Sequence, residues 1–430
     1  MKRLLRPLAS LLAPKRGSDW RAEAEDRIER HRKGDLMVEV RGRDGACVKN
    51  ARVEYRLKHH AFRFGTAIAH APFTDAGEAG QHYRRFILDH FNCLVCENEM
   101  KWYANEAERG HKKYAPADAL LAFAEQNGLA MRGHCLFWEK QEHVQRWLVT
   151  LDREELRAAM VRRLTASVGR YAGRLLAWDV NNEILDGSFY RERLGPDANA
   201  WMFKEAARLD PKTPLFVNEY GILGEREKTE RYLALIRGLQ ESGAPVGGIG
   251  VQSHDCDRLA PDGHAELAPG DRPTWLLSRP VTPPAFMATL DRLHTETGLP
   301  IHLTEISAKT PDADRRGEVL EMLLRLGFSH RAVEAILLWG FGADTHWLGP
   351  DAALMNADGT LTAAGSRISY LLREEWTTRG DGVSAADGRL AFRGFYGTYT
   401  LRVAAPDGRE TVREVLLARS APSATVQLGE

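Results

Sequence analysis

The chain has 430 residues, more than one small core organises, so a large domain with smaller appendages is expected. Hydrophobic residues make up 43% and charged residues 27%, which excludes a disordered or membrane-embedded composition and fits an ordinary globular protein. Lys plus Arg and Asp plus Glu number 59 each, so no net field gathers nucleic acid or anionic lipid, and a neutral polymer suits that balance.

The N-terminal MKRLLRPLASLLAP starts like a signal peptide, but Arg6 and Pro7 interrupt the apolar stretch before it reaches the length an export signal needs. An intracellular chain is therefore the expectation, or an exported one if translation begins elsewhere. No segment approaches the length of a membrane span. Residues 1–33 form a first unit, with DWRAEAEDRIERHRK at 19–33 read as a solvated helix or tail because apolar positions are few. Residues 34–60 form a β segment: LMVEVRGRDG and ARVEYRL alternate around an Asp-Gly turn, a hairpin signal. His59 and His60 are not a metal pair, since neighbours on a strand point to opposite faces.

Residues 61–376 alternate short apolar strands with amphipathic helices. The strands are RFGTAIA, NCLVCENEM, LAMRGHCLF, LLAWDVNNEI, PLFVNEYG, GIGVQSH, PIHLTEIS and AILLWGF. The helices between them carry start and stop residues: Pro116 and Asn127-Gly128, an Asp152/Glu155 capping box, Pro283 and Gly298. Eight strand–helix units in roughly 310 residues predict an α/β fold, a (β/α)8 TIM barrel, rather than an open sheet. Residues 377–430 return to short strands separated by Asp-Gly turns and read as a C-terminal all-β appendage that packs with the N-terminal β segment; the aromatics of RGFYGTYTLRV are expected in its core. The five cysteines, an odd and scattered number, are no disulfide framework, and Cys93 and Cys96 lie in an apolar run as packing thiols.

In such a barrel the active site lies at the C-terminal strand ends. Those ends carry Glu97, Asn98, Glu99 and Lys101 on the second strand, and Arg132 and His134 on the third. The fourth strand ends in Asp179, Asn181, Asn182 and Glu183, the fifth in Asn218, Glu219 and Tyr220. Gln252 and His254 end the sixth, Glu305 the seventh, and Trp339 the eighth, with Trp347 in the loop beyond. Glu183 and Glu305 face each other across the mouth. Glycoside hydrolysis needs such a pair, one protonated to help the leaving oxygen and one ionised to meet the anomeric carbon; retention sets the two about 5–5.5 Å apart. The Asn182 amide suits a sugar 2-hydroxyl, His254 is placed to keep Glu305 ionised, and Trp138, Trp339 and Trp347 offer flat apolar faces to sugar rings. A structural role stays open for several of them: His134 and His254 as buried imidazoles bonded to backbone, the tryptophans as core, Asn181 as a partner for backbone groups. No metal or organic cofactor is implied, since the chemistry needs two carboxyls and water.

The pieces ENEMKW (97–102), RGHCLFW (132–138), DVNNE (179–183), GIGVQSH (248–254), TE (304–305) and the Trp339–Trp347 pair together resemble family 10 glycoside hydrolases, the endo-β-1,4-xylanases, in the family's order over about residues 60–376. The resemblance implies retaining cleavage of internal β-1,4-xylosidic bonds, with Glu183 as acid/base and Glu305 as nucleophile. It also implies that Asn98, Lys101, His134, Trp138, Asn182, Gln252, His254, Trp339 and Trp347 bind the sugar on the non-reducing side of the cleaved bond; Glu97 and Tyr220 complete the candidate set. The expected partner is a xylan-like polysaccharide or oligosaccharide, with no nucleic acid and no membrane, for a monomeric enzyme. The departures are Asn181 where the family has Val, Glu139 where it has His, a displaced Asp in WGFGADTHW, and a longer segment carrying Trp275 between His254 and Glu305. That long segment keeps open an exo-acting or short-oligosaccharide glycosidase, and a polysaccharide-binding protein without catalysis is the alternative from another class.

Overall fold

The computed structural model describes residues 19–254 and 281–428. Two strands, β1 (Lys33–Arg41) and β2 (Arg52–His60), precede the barrel. The barrel strands are β3 (Arg63–Ile68), β4 (Cys93–Cys96), β5 (Ala130–Gly133) with its continuation β6 (Phe137–Trp138), β7 (Ala177–Asn182), β8 (Leu215–Glu219), β9 (Gly248–Ser253), β10 (Ile301–Ile306) and β11 (Val333–Leu338). All neighbours are parallel, and β11 closes the ring onto β3, with Leu337 opposite Gly65. The run expected as one third strand is interrupted at 134–136: β5 pairs with β4 and β7, then β6 resumes along β7 with Trp138 opposite Asn182. This carries the third position further toward the mouth and sets Trp138 beside the fourth strand's end.

Strand alternation sorts the barrel's two faces. Cys93 and Val95 point inward with Ala67, Ala335, Leu337 and Trp339, whereas Leu94 and Cys96 face the surrounding helices. The two thiols of the CxxC spacing therefore lie on opposite faces, both buried and free. Gly133 is required where β5 passes the helix-facing Trp178, because a Cβ there would lie 2.2 Å from its ring. The helix signals hold in detail: Asp152 accepts from the Glu155 N–H at 2.8 Å while Glu155 accepts from the Asp152 N–H at 3.3 Å, and Gly298 ends the helix Pro283–Thr297 at φ 72°.

Two expectations need correction. The charged segment after residue 18 is not simply solvated: the helix Trp20–Arg32 buries Ala24 and Ile28 against the barrel. The Arg32 guanidinium donates to the carbonyls of Phe328, His330 and Val333 at 2.6, 2.6 and 2.7 Å, so a cation does the anchoring that apolar residues would otherwise supply. Nor do β1 and β2 form a hairpin. The Asp44-Gly45 turn is present, with the Ala46 N–H bonded to Asp44 at 3.0 Å, but the strands leave it into different sheets.

After the barrel come β12 (Arg379–Val383), β13 (Arg389–Phe395), β14 (Gly397–Ala404), β15 (Glu410–Leu417) and β16 (Ser423–Gln427). One sheet has the order β13-β1-β16, the other β12-β2-β14-β15. Leu36, Val38 and Val40 of β1 thus face Val53, Tyr399, Leu401 and Val403 across one core, an arrangement a single-sheet hairpin would forfeit. Tyr399 is fully buried and its hydroxyl donates to the Phe395 carbonyl at 2.7 Å, so this aromatic stretch packs inward. The sandwich lies under the N-terminal end of the barrel, where His60 meets the rings of Phe64, Phe328 and Phe395. Among the described residues the opposite end is left open.

Candidate active site

At that open end the strands deliver Glu97, Asn98, Lys101, His134, Trp138, Asn182, Glu183, Tyr220, Gln252, His254, Glu305, Trp339 and Trp347 to a single cleft. Tyr103, Lys140 and His143 line it as well. The segment 255–280, with Cys256 and Trp275, lies outside the described residues, as do 1–18.

Glu305 sits on β10 with 5% of its surface exposed. Its Oε1 accepts the Asn218 amide at 2.8 Å, and its Oε2 lies 3.3 Å from His254 Nε2. His134 Nε2 is 3.8 Å from Oε1, while its Nδ1 is 2.9 Å from Asp179, which Arg132 grips with two bonds of 2.8 Å. Burial pushes the Glu305 carboxyl toward its neutral form, yet the charges and hydrogen bond of His134, His254 and Lys101 outweigh it and hold the group below the usual carboxylate range. Asn218 also donates to Asn182 Oδ1 at 3.0 Å and accepts from Thr304 Oγ1 at 2.6 Å; Gln252 donates to the same Asn182 oxygen at 3.2 Å. With its oxygen doubly engaged, Asn182 is left with its NH2 group for the cleft.

Glu183 follows β7 in the left-handed backbone region, φ 56°, at a cost of about 1–2 kcal/mol for a residue with a Cβ. Its N–H bonds to the Asn218 carbonyl at 3.0 Å, which fixes this turn. The side chain meets donors at one oxygen: Oε2 accepts the Trp138 indole N–H at 3.1 Å and lies 2.9 Å from Lys140 Nζ. Beneath it, burial pushes the Glu219 carboxyl up to about 7, against the N–H groups of Leu185 and Tyr220 and the Lys228 ammonium.

The departures at 139 and 181 answer one another. The Asn181 amide donates to Glu139 and, at 2.7 Å, to Asn199, and the other Glu139 oxygen accepts the Arg191 N–H at 3.0 Å. A buried acid and amide thus brace the strand that carries Glu183, which gives Asn181 side-chain rather than backbone partners.

The walls differ from expectation in one respect. His143 stacks on Trp138 with centroids 3.6 Å apart and Lys101 Nζ is 4.6 Å from the same ring, so Trp138 serves as much to place Lys101 and Glu183 as to offer a free face. Trp339 is buried edge-on to His134, whereas Trp347 is half exposed beside His254. Tyr103 donates to Asn98 Oδ1 at 2.6 Å, and buried Arg163 ties Asn105, Met100 and Cys135 together behind the second and third strand ends. The sequence gives no role to Asn218, Tyr103, Lys140 and His143: Asn218 is one polar residue among several at its strand end, Tyr103 and His143 lie in single short turns of helix, and Lys140 lies in the loop between, where spacing carries no signal. Among the described residues no cluster of side chains with metal-ligand geometry occurs.

The family model of glycosyl hydrolase family 10 matches residues 54–364. Among full-length proteins the chain is 39% identical over 393 residues to "Anti-sigma-I factor RsgI6" of Acetivibrio thermocellus, covering 91% of this chain and 48% of that one. It is 36% identical over 381 residues to "Endo-1,4-beta-xylanase 2" of Arabidopsis thaliana, covering 88% of this chain and 33% of that one. The chain therefore spans less than half the length of each of these relatives. In fold it resembles native xylanase 10B of Thermotoga maritima, with TM-score 0.61 and 25% identity over 73% of this chain and 96% of that one. Xylanase 10B of Thermotoga petrophila, solved with xylobiose, gives TM-score 0.62 at 24% identity over 73% of this chain and 95% of that one, a likeness of fold. With a family model matched across the barrel and its motifs gathered in one cleft, the chain belongs to glycosyl hydrolase family 10.

Proposed function

We propose that the chain is a retaining endo-β-1,4-xylanase in which Glu305 is the nucleophile and Glu183 the general acid/base. One observation carries the reading: two carboxylates share the cleft with different partners, Glu305 met at both oxygens and Glu183, among the described residues, at one. Glu305 is buried yet kept ionised by two imidazoles, Lys101 and the Asn218 amide, as a nucleophile must be. Glu183 accepts at Oε2, and among the described residues no donor meets Oε1, which is thereby free to carry a proton to a leaving oxygen. Glu305 attacks the anomeric carbon as that proton moves to the glycosidic oxygen; water, deprotonated by Glu183, then releases the glycosyl-enzyme. Among the described residues no acceptor meets the Asn182 NH2 group, which in this reading donates to the sugar 2-hydroxyl, a bond that tightens as positive charge develops on the ring.

The substrate class rests on similarity to proteins named endo-1,4-beta-xylanase. A second reading, binding of the polymer without cleavage, is carried by the similarity to a relative named as an anti-sigma factor rather than a hydrolase. Reducing-sugar release from glucuronoxylan and arabinoxylan, with Glu305→Ala alongside, separates the two. Release by the wild type alone is expected; binding of both polymers without release by either protein would select the second reading.

A further inference from the structure

Lys140 lies two residues beyond Trp138 and reaches back over the cleft edge to Glu183. Its ammonium is 2.9 Å from Oε2, the oxygen that the Trp138 indole already holds, and 3.3 Å from the Tyr220 hydroxyl. The side chain is 20% exposed, so it is placed by these partners rather than free in solvent. Burial works against its charge, but Glu183 and the Tyr220 hydroxyl outweigh burial and hold its proton more tightly than water would. Tyr220 is itself backed by Lys228, whose ammonium is 3.2 Å from the ring centroid and pairs with Asp186 at 2.6 Å and Glu219 at 3.5 Å. The position of Lys140 is thus built into the end of the fifth strand as well as its own loop.

We propose that Lys140 is a positioning residue for proton transfer: it reserves Oε2 of Glu183 as an acceptor, confines the transferable proton to Oε1, and makes the alkaline limit of the acid step depend on its own charge. This rests on Glu183 being the acid/base. In the first step the Oε1 proton passes to the glycosidic oxygen as the C1–O bond breaks with its electron pair on that oxygen, and Glu305 supplies the pair for the new bond to C1. In the second, a water oxygen bonds to C1, its proton goes to Glu183, and the C1–Glu305 bond breaks with its pair returning to the carboxylate. A cation beside Glu183 opposes the protonated form that starts the first step and favours the carboxylate that starts the second. Among the described residues, the other titratable groups facing Glu183 are His143 from the same loop, Lys101 beyond β4 against the Trp138 ring, Glu219 beneath it on β8, and Glu305 across the cleft on β10. Among the described residues Lys140 is the cation in direct contact.

The test is kcat/KM against pH for the wild type, Lys140→Met, Lys140→Gln and Lys140→Arg, on phenyl and 2,4-dinitrophenyl xylobiosides. Thermal melting of each variant verifies the fold. With the phenyl leaving group, Met and Gln should move the alkaline limb upward by about one pH unit or more, and Arg should leave it near the wild-type position. The dinitrophenyl substrate, which needs no acid assistance, should show no such shift. An alkaline limb at the wild-type pH in both folded Met and Gln variants would overturn the proposal. A wild type whose alkaline limb is the same for both leaving groups would instead remove Glu183 as the acid, and the role of Lys140 with it.

Discussion

Asn218→Ala is the substitution that separates a designed nucleophile environment from a merely buried glutamate. One amide group spans both halves of the site, donating to Glu305 at 2.8 Å and to Asn182 at 3.0 Å, with its own oxygen held by Thr304 at 2.6 Å. A hydrogen bond to a charged group contributes about 1.5–3 kcal/mol, so its loss should lower kcat/KM by about tenfold to 150-fold near neutral pH. The sign of the pH effect follows from the same bond. The amide favours the ionised carboxyl; without it Glu305 keeps its proton to higher pH, and the acidic limb of kcat/KM moves upward. The assay is kcat/KM for an aryl xylobioside across the acid range, with melting temperature measured alongside because Asn218 is buried. A variant within about twofold of the wild type, with an unmoved acidic limb, would refute the claim that this hydrogen bond helps ionise and orient the nucleophile.

Further expectations concern the acid and the barrel interior. Glu183→Ala should slow phenyl xylobioside far more than dinitrophenyl xylobioside, because only the first needs a proton on its leaving oxygen; equal losses in kcat would exclude Glu183 as the acid. Arg132→Met strands fully buried Asp179 without its bidentate partner and should cost about 3–5 kcal/mol, read as a lower urea midpoint at pH 6. Burial pushes Asp179 up, but Arg132 and His134 outweigh it and hold its carboxyl below its ordinary 3.8. A depressed folded value means that this stability is fully present above about pH 4 and is lost as the pH falls through the folded value, so Asp179→Asn should flatten that part of the acid unfolding curve. An unchanged acid limb in urea titrations would count against that assignment.

The barrel was legible because its signals are local: strands of a few apolar residues alternating around the ring with helices whose ends carry proline, glycine or, at Asp152/Glu155, a capping box. The candidate site was legible for a related reason, since so many polar residues at the C-terminal ends of neighbouring buried strands exceed what bracing pairs such as Arg132–Asp179 and Asn181–Glu139 account for. What stayed hidden depends on contacts distant in sequence. The alternation and turn around Asp44-Gly45 are real, but whether β1 and β2 pair is decided by β13, β14 and β16, more than three hundred residues away. The helix Trp20–Arg32 reads as solvated because Arg32, its main anchor, binds carbonyls rather than packing apolar surface. Lys140 and Asn218 carry no motif, and their roles exist only once Glu183 and Glu305 are placed. Glu139 and Asn181 did leave a trace, as two departures that the fold turns into one buried pair.

The central claim, double displacement through Glu305, is tested most directly by trapping the intermediate. Incubation with 2,4-dinitrophenyl 2-deoxy-2-fluoro-β-xylobioside, followed by peptide mass mapping, should find one fluoro-xylobiosyl group on the peptide containing Glu305, absent from Glu305→Ala. An adduct on Glu183 or on another carboxylate would contradict the account, as would turnover to the inverted anomer with no adduct.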